Sequence, residues 1–158
     1  MIKHIKCDIF ESGADVICHQ VNCQGVMGSG IAKQVRENYP YVYEEYKKWC
    51  SIISQDDLLG KAQFVNTRTK YNTSFSGIVN LFAQRNYGYD GKCYTNYDSL
   101  RKALEWVRAC VIDGKTIAIP YLMSCHRGGG DWNVVYKMIE EVFNDSGIDV
   151  LICEYNGG

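Results

Sequence analysis

Several features that define large protein classes are absent from this sequence. No stretch of 18 consecutive apolar residues occurs, so the chain is not expected to span a membrane. Its N-terminus has no basic segment followed by an apolar run, so export through a visible signal is not expected. Excess positive charge is also missing, because 17 Lys and Arg residues stand against 18 Asp and Glu residues. A polycationic face for nucleic-acid backbones is therefore not expected, and an anionic ligand must be held locally.

Paired cysteine motifs are absent too, although the chain contains 8 cysteines. No Cys-x-x-Cys occurs, and most of the cysteines lie in apolar runs with strand or helix patterns. Reduced thiols and a cytoplasmic location are therefore expected. The 3 histidines, His4, His19 and His126, form no pair at helical or hairpin spacing. For this reason the sequence predicts no metal site, and it predicts no cofactor.

Short apolar runs alternate with helical patterns along the chain. Strands are predicted at 2–7, 15–21, 61–66, 76–82, 115–119 and 148–153, because these runs are short and rich in Val and Ile. Helices are predicted at 29–38, 41–53, 96–113 and 132–145 from apolar positions three and four apart. A chain of 158 residues is expected to form one domain. The alternation predicts an α/β fold with three layers, α/β/α.

A glycine-rich stretch joins the second predicted strand to the first predicted helix. It reads Gly25-Val26-Met27-Gly28-Ser29-Gly30. Glycine allows the backbone to approach a ligand closely, and a helix start presents unpaired N–H groups with a partial positive charge. Phosphate is the natural ligand of such a turn. The stretch fits neither the dinucleotide-binding pattern nor the P-loop, and a turn that serves only packing is the alternative.

A second glycine-rich stretch follows the strand predicted at 115–119. Gly128, Gly129 and Gly130 leave the backbone bare there, and Asp131 is suited to cap the next helix. Ligands of open α/β sheets bind beyond the carboxyl ends of the strands, so two such loops can hold one phosphate-rich ligand from both sides. A phosphocysteine mechanism at Cys125 is not favoured, because the carboxylate of Asp131 would repel the substrate.

Four segments together resemble the macro domain family, an ADP-ribose-binding α/β/α module. They are "CDIF" near the N-terminus, "VNCQGVMGSGIA", "IVNLFAQ" and "GGGDW". Within the family, the chain is similar to the branch that contains the yeast-type ADP-ribose-1''-phosphate phosphatase and the terminal ADP-ribose protein glycohydrolase. The resemblance covers almost the whole chain. It implies a single macro domain over residues 1–158 with a mixed central sheet.

The resemblance implies that the two loops hold ADP-ribose. Asp8 would accept a hydrogen bond from the adenine amino group, with the backbone of Ile9 beside it. Asn22 would reach the distal ribose, while Phe82 and Tyr155 would flank a sugar or adenine ring, ordinary core positions being the alternative for both aromatics. The loop residues implied to contact the distal ribose and diphosphate are Gly25, Val26, Met27, Gly28, Ser29, Gly30 and Ile31 in the first loop, and Ser124, Cys125, His126, Arg127, Gly128 and Gly129 in the second.

The resemblance also implies a catalytic group. Phosphatase members carry a histidine three residues before the loop asparagine, and His19 holds that position here. His19, Asn22 and Asp131 are the residues predicted to release phosphate from ADP-ribose-1''-phosphate without a metal. A histidine of near-neutral pKa can deliver or remove the proton that this reaction requires. A hydrogen-bonded strand residue is the alternative for His19, and a simple helix cap is the alternative for Asp131.

Departures from the family pattern define the rival hypotheses. Glycohydrolase members use a lysine just after the "NLFA"-type strand and an acidic residue three after the loop cysteine, where this chain has Ala83-Gln84 and Gly128. The phosphatase is therefore favoured over a glycohydrolase acting on ADP-ribosylated protein or nucleic acid. A non-catalytic reader of ADP-ribose is the other alternative. Ser124-Cys125-His126-Arg127 replaces the usual Gly-Cys-Gly-Leu, which alters the grip on the diphosphate. The expected partners are these ligands alone, with no membrane partner, and the expected state is a monomer.

Overall fold

A single six-stranded sheet forms the centre of the computed structural model, which describes residues 1–125 and 127–155. The strand order is β1-β6-β5-β2-β4-β3. Every neighbouring pair is parallel except β3 with β4, which is antiparallel, so the sheet is mixed. The strands are β1 (Ile2–Lys6), β2 (Val16–Asn22), β3 (Ala62–Asn66), β4 (Gly77–Gln84), β5 (Thr116–Pro120) and β6 (Asp149–Glu154).

Helices cover both faces of this sheet. One core cluster packs the apolar stripes of α5 (Tyr97–Cys110) and α6 (Trp132–Phe143) against one face. The other cluster packs α1 (Gly30–Asn38), α2 (Pro40–Ile52) and a 3-10 helix at Ile9–Glu11 against the opposite face. The predicted α/β/α architecture is therefore confirmed. Within the described ranges, no helix combines the length and the apolar character needed to cross a membrane.

Two short helices are not predicted by the sequence patterns. They are α3 (Gln55–Leu58) and α4 (Arg68–Tyr71), each only 4 residues long. One turn of helix cannot display an apolar repeat, so periodicity does not reveal it. Helix α5 also ends earlier than predicted, at Cys110, because Val111 already has an extended backbone conformation.

The chain leaves β2 and β5 in opposite directions, although these strands are neighbours in the sheet. After β2 it passes through α1 and α2 toward β3 and β4, and after β5 it passes through α6 to β6 on the other side. Such a reversal leaves a crevice at the carboxyl ends of the strands, where open α/β folds bind ligands. Both glycine-rich loops lie at this switch point.

Phe82 lies within the core rather than at a ligand site. Its side chain is fully buried, and its ring stacks on Tyr46 at a centroid distance of 5.7 Å and on Trp49 at 6.1 Å. Strand β4 continues two residues further, to Gln84. The predicted position of Phe82 beside a ligand ring is therefore wrong, because α2 covers this face of β4.

Removing the Phe82 ring tests this assignment. Phe82→Ala should lower the free energy of unfolding by about 3–5 kcal/mol, the usual cost of deleting a buried ring. Urea denaturation measures the change. Phe64→Ala on the neighbouring strand β3 is the control, because Phe64 is 43% exposed and its loss should cost clearly less. Equal losses in the two variants would contradict the core role of Phe82.

Candidate functional site

A cleft of about 720 Å³ runs along the carboxyl ends of the strands. Its lining begins with Asp8 and Ile9 after β1, continues past Tyr155 after β6 and Pro120 of β5, and reaches Gln84 of β4. The cleft crosses five adjacent strands of the sheet, β1, β6, β5, β2 and β4. Four inter-strand spacings separate the first of them from the last, or about 19 Å. The cleft therefore suits an elongated ligand.

The first glycine-rich loop is shaped by Asn22. The Asn22 Nδ2 donates to the Val26 carbonyl at 2.8 Å, and Oδ1 accepts from the Gln24 amide at 2.9 Å. The buried Tyr46 hydroxyl also lies 2.8 Å from Asn22 Oδ1 and 2.8 Å from the Asn22 carbonyl. Asn22 thus holds the loop in place, in addition to lining the cleft.

Gly28 lines the cleft without being required by the fold. A Cβ at Gly28 would meet Val26 Cγ1 at 3.6 Å and the Tyr89 hydroxyl at 3.8 Å, which are ordinary contacts. The next residue, Ser29, is the N-cap of α1 but makes no side-chain cap hydrogen bond. The first N–H groups of α1 are therefore not capped by that side chain, and the open surface at Gly28 lets a ligand approach them.

The second loop is tied to the sheet by a polar cluster around Gln20. The Gln20 Nε2 donates to Gln84 Oε1 at 2.7 Å and to Thr95 Oγ1 at 2.9 Å, and the Ser124 hydroxyl donates to Gln20 Oε1. The Thr95 hydroxyl lies 3.0 Å from the Ser124 carbonyl and 3.1 Å from the Gly128 carbonyl, and shares its proton between them. These bonds fix where the loop crosses the cleft.

Backbone strain marks the same loop. Leu122 and Ser124 have φ angles of 61° and 77°, in the left-handed region that costs a non-glycine residue about 1–2 kcal/mol. The hydrogen bonds of Ser124 to Gln20 and from Gly130 to the Ser124 carbonyl, at 2.7 Å, offset this cost. Strained conformations of this kind persist where the surroundings over-determine them, as they do in ligand-binding loops.

Two charged side chains are found among the described residues that line the cleft, Asp8 and Arg127. The Asp8 Oδ1 accepts from the Phe10 amide at 2.9 Å and so caps the 3-10 helix. Among the described residues, no hydrogen-bond partner is found for the second carboxylate oxygen of Asp8. The Arg127 guanidinium lies over the ring of Tyr89, 4.2 Å from its centroid, beside the two loops. The cleft therefore offers an acceptor at its β1 end and a cation nearer its centre.

His19 is buried on β2, with 2% of its surface exposed, and still contributes to the cleft wall. Its Nε2 lies 2.6 Å from Asn80 Oδ1. Nδ1 has no hydrogen-bond partner in the described part of the chain. Burial lowers the pKa of His19 to about 4, while the bond to Asn80 opposes this shift. His19 is therefore neutral near pH 7 and offers a lone pair, which corrects the near-neutral pKa expected from the sequence.

Known proteins resemble the chain at low identity over its full length. No family model matches it. A DNA ADP-ribosyl glycohydrolase of Mycobacterium tuberculosis is 26% identical over 159 residues, which are 100% of this chain and 43% of that protein. An ADP-ribose 1''-phosphate phosphatase of Aspergillus oryzae is 26% identical over 189 residues, covering 96% of this chain and 92% of that protein. Among solved structures, the macrodomain of Mycobacterium tuberculosis DarG aligns with a TM-score of 0.78 and 25% identity, over 97% of both chains.

The chain has the macrodomain fold. A second solved structure, Thermosipho africanus DarTG in complex with ADP-ribose, shares the fold with a TM-score of 0.76 at 20% identity. It aligns with 96% of this chain but only 41% of its own length. The chain thus spans less than half the length of the mycobacterial glycohydrolase and of DarTG.

Most of the predicted site residues line this same cleft. Those residues are Asp8, Ile9, His19, Asn22, Val26, Gly28, Ser29, Gly30, Ile31, Ser124, Arg127, Gly128 and Tyr155. The lining does not include Gly25, Met27, Phe82, Cys125, Gly129 or Asp131. His126 lies outside the described residues.

The side chains outside the lining serve the fold. Met27 is fully buried in the core beneath α1 and α2. The Cys125 thiol donates to the Met123 carbonyl at 3.4 Å, and burial raises its pKa to about 11, so a reactive thiolate is not available. Asp131 accepts from the Asn133 amide at 2.9 Å and caps α6. Its predicted catalytic role lacks support in this geometry, because the carboxylate is engaged at the cap and not in the cleft.

The two glycines outside the lining also have structural roles. The Gly25 carbonyl accepts from the Tyr43 hydroxyl at 3.2 Å, and Gly25 has a φ of 79°. Gly129 has a φ of 66°, and a Cβ there would collide with the Lys92 carbonyl. Both positions therefore need glycine for the backbone itself, whereas Gly28 does not.

Sequence reasoning missed the polar side chains that support the site. Gln20, Asn80 and Gln63 are buried or half-buried polar residues in strands that are otherwise apolar. Their presence in such strands is the signal that could have revealed them, since a buried amide requires hydrogen-bond partners. Tyr87 and Tyr89 were also missed, because nothing in a polar loop shows which aromatic turns toward a cleft.

Potential metal ligands do not converge among the residues that the structure describes. In the described part of the chain, no three His, Cys, Asp or Glu side chains form a group able to hold a metal ion. The described cysteines are free thiols.

Burial of neutral His19 makes stability depend on pH. Its folded pKa of about 4 lies below the ordinary value of 6.5, so the unfolded chain binds a proton between these values that the folded chain excludes. The stability that comes from keeping His19 neutral is therefore fully present above pH 6.5, and it is lost as the pH falls toward 4. We expect the free energy of unfolding to fall by up to about 3 kcal/mol from this group. Urea denaturation of the protein and of His19→Gln across this range measures it, and identical pH profiles would contradict it.

Proposed function

We propose that this macro domain binds ADP-ribose and releases phosphate from ADP-ribose-1''-phosphate. The cleft carries this proposal, because it is long enough for a dinucleotide-like ligand and is bordered by two glycine-rich loops at a switch point. The named relatives support it, since both the phosphatase and the glycohydrolase take their names from ADP-ribosyl chemistry.

The adenine is assigned to the β1 end of the cleft. Asp8 has a carboxylate oxygen that is not used by the 3-10 helix cap, and this oxygen can accept from an exocyclic amino group. Ile9 lies next to it in the cleft wall, and Tyr155 presents an exposed ring from the end of β6. An adenine ring fits this end of the cleft, because its faces can pack against Ile9 and Tyr155 while its amino group donates to Asp8.

The diphosphate is assigned to the space between the loops. Gly28 leaves room for it next to the N-terminus of α1, where backbone N–H groups and the helix dipole favour anions. Arg127 adds the one cationic side chain found among the described lining residues. Its guanidinium is held against Tyr89, so less freedom is lost when it pairs with a phosphate. A chain of net charge −1 needs such a local arrangement.

The distal ribose and its phosphate are assigned to the β2 end, beside Asn22 and His19. In the proposed reaction a water oxygen bonds to phosphorus as the bond from phosphorus to the anomeric oxygen breaks. The water proton passes to His19, which is neutral and has a free lone pair. The departing sugar oxygen takes a proton from solvent, and the products are ADP-ribose and inorganic phosphate.

A glycohydrolase acting on ADP-ribosylated DNA is the second candidate. Similarity to the Mycobacterium tuberculosis enzyme over 100% of this chain favours it. Against it, the positions where glycohydrolase members carry the lysine read Ala83-Gln84 here, and Gln84 is bound to Gln20. A reader without turnover would use the same cleft, so only assays distinguish the three functions.

Binding is tested by adding bulk and negative charge at the first loop. In Gly28→Glu the affinity for ADP-ribose should fall at least about 100-fold, or roughly 3 kcal/mol, because a carboxylate would occupy the diphosphate position. Gly28→Ala should retain its stability within about 0.5 kcal/mol. Thr69→Glu on α4, which adds the same charge away from the cleft, is the control. Calorimetry that finds equal affinities in folded Gly28→Glu and Thr69→Glu would remove the loop from the site.

Catalysis is tested with three substrates side by side: ADP-ribose-1''-phosphate, an ADP-ribosylated protein and ADP-ribosylated DNA. We expect phosphate release from the first, and a loss of about 10²- to 10⁴-fold in kcat for His19→Ala, with ADP-ribose binding retained. Asp131→Ala should keep its turnover and lose about 1 kcal/mol of stability, as a cap does. Release of ADP-ribose from the DNA or the protein without phosphate release would select the glycohydrolase, and binding without any release would select the reader.

A further inference from the structure

We infer that Asn80 and Gln63 are positioning residues that hold His19 as the tautomer with its proton on Nε2, leaving Nδ1 as a hydrogen-bond acceptor for an O–H group. The donor is a hydroxyl of the ligand or a water molecule. This inference rests on the proposed function for its consequences, but the tautomer itself is a property of the free protein.

A backbone carbonyl in α2, that of Glu45, fixes the orientation of the Gln63 amide. The Gln63 Nε2 lies 3.0 Å from the Glu45 carbonyl oxygen. A carbonyl can only accept, so Gln63 must turn its NH₂ group toward it. The reversed amide would place two oxygens against each other at hydrogen-bond distance. The orientation of Gln63 is therefore determined by chemistry alone.

Each following bond is then determined in turn. With its NH₂ group used, Gln63 presents Oε1 to Asn80, whose Nδ2 donates to it at 3.0 Å. Asn80 must therefore present Oδ1 to His19, where the separation from Nε2 is 2.6 Å. An amide oxygen only accepts, so the His19 Nε2 carries the proton. A neutral imidazole has one N–H, which leaves Nδ1 unprotonated.

Burial of the Asn80 and Gln63 amides prevents them from adopting the reversed orientation. Asn80 is fully buried and Gln63 is 2% exposed, so water does not compete for their polar atoms. A reversed amide at either position would leave unmade hydrogen bonds inside the core, which cost about 1–3 kcal/mol each. His19 is neutral because burial lowers its pKa.

The consequence concerns what His19 can do in the cleft. Its N–H group is engaged by Asn80, so it has no proton to give to a leaving group. Its buried Nδ1 lacks a partner among the described residues, and buried polar atoms without partners usually mark a missing ligand or water. His19 therefore accepts a proton or a hydrogen bond. The sequence position of His19 is compatible with either donating or accepting a proton. The structure favours acceptance.

Nitrogen-15 spectroscopy of the free protein tests the tautomer directly. In protein labelled at the histidine nitrogens, near neutral pH, we expect His19 to show a protonated Nε2 and an unprotonated Nδ1. The signals are assigned by their loss in His19→Gln. A protonated Nδ1, or a ring protonated at both nitrogens, would overturn the inference whether or not the protein has any activity.

Variants of Asn80 test the positioning role. Asn80→Leu removes the acceptor for Nε2–H and should abolish the single-tautomer signature. Phosphate release should fall about 10- to 100-fold in kcat for Asn80→Leu with KM little changed. Asn66→Leu on the exposed part of β3 is the control and should leave the His19 signals unchanged. A single Nε2–H tautomer that survives in folded Asn80→Leu would contradict the role of Asn80.

Adding ADP-ribose to the labelled protein identifies the donor. A change in the Nδ1 resonance with bound ADP-ribose supports a ligand hydroxyl, and an unchanged unprotonated Nδ1 supports water. Protonation of Nδ1 on binding would overturn the acceptor role. If no substrate is turned over, the proposed function fails while the measured tautomer still decides this inference.

Discussion

The need to satisfy polar side chains buried in β2 organises the site. Three residues in the last four positions of this central strand are polar: His19, Gln20 and Asn22. Each reaches a different part of the fold. His19 connects to the amides of β4 and β3, Gln20 connects to the second loop, and Asn22 connects to the first loop and α2. Leaving any of these groups unpaired inside the sheet would cost free energy. Their hydrogen bonds therefore fix the positions of the two loops and of the His19 ring.

Alternation along the strand separates these functions. Side chains of a strand point to opposite faces in turn, so His19 lies on the face covered by α1 and α2 and Gln20 on the face covered by α5 and α6. The core clusters agree, since Ile17 belongs to the first face and Cys18 to the second. One face therefore carries the imidazole and its chain of amides. The other carries the hydrogen bonds that hold Ser124 in its left-handed conformation.

The sequence predicts the strands and the glycine-rich loops better than it predicts the hydrogen bonds that hold the site residues in place. The alternation of apolar runs predicts the strands to within about two residues, and the glycine patterns locate both loops because glycine acts through the local backbone. Asn80 and Gln63 could not be connected to His19 in this way, since 61 and 44 positions separate them from it in the chain. The same limit affected Phe82 and Asp131. A pattern shows that a residue ends a strand or caps a helix, but not which neighbour covers it.

The acceptor-only character of His19 bears on which bond the site can break. Among the described residues that line the cleft, Arg127 is the one cation and it does not act as an acid near neutral pH. A leaving group must then depart with a proton from water or from a hydroxyl. The anomeric oxygen of ribose is more acidic than an ordinary alcohol, so it leaves as an anion more readily. A phosphomonoester at that oxygen therefore needs no acid from the protein. The chemistry of this leaving group, together with the absence of a lysine at Ala83-Gln84, favours the proposed phosphate release.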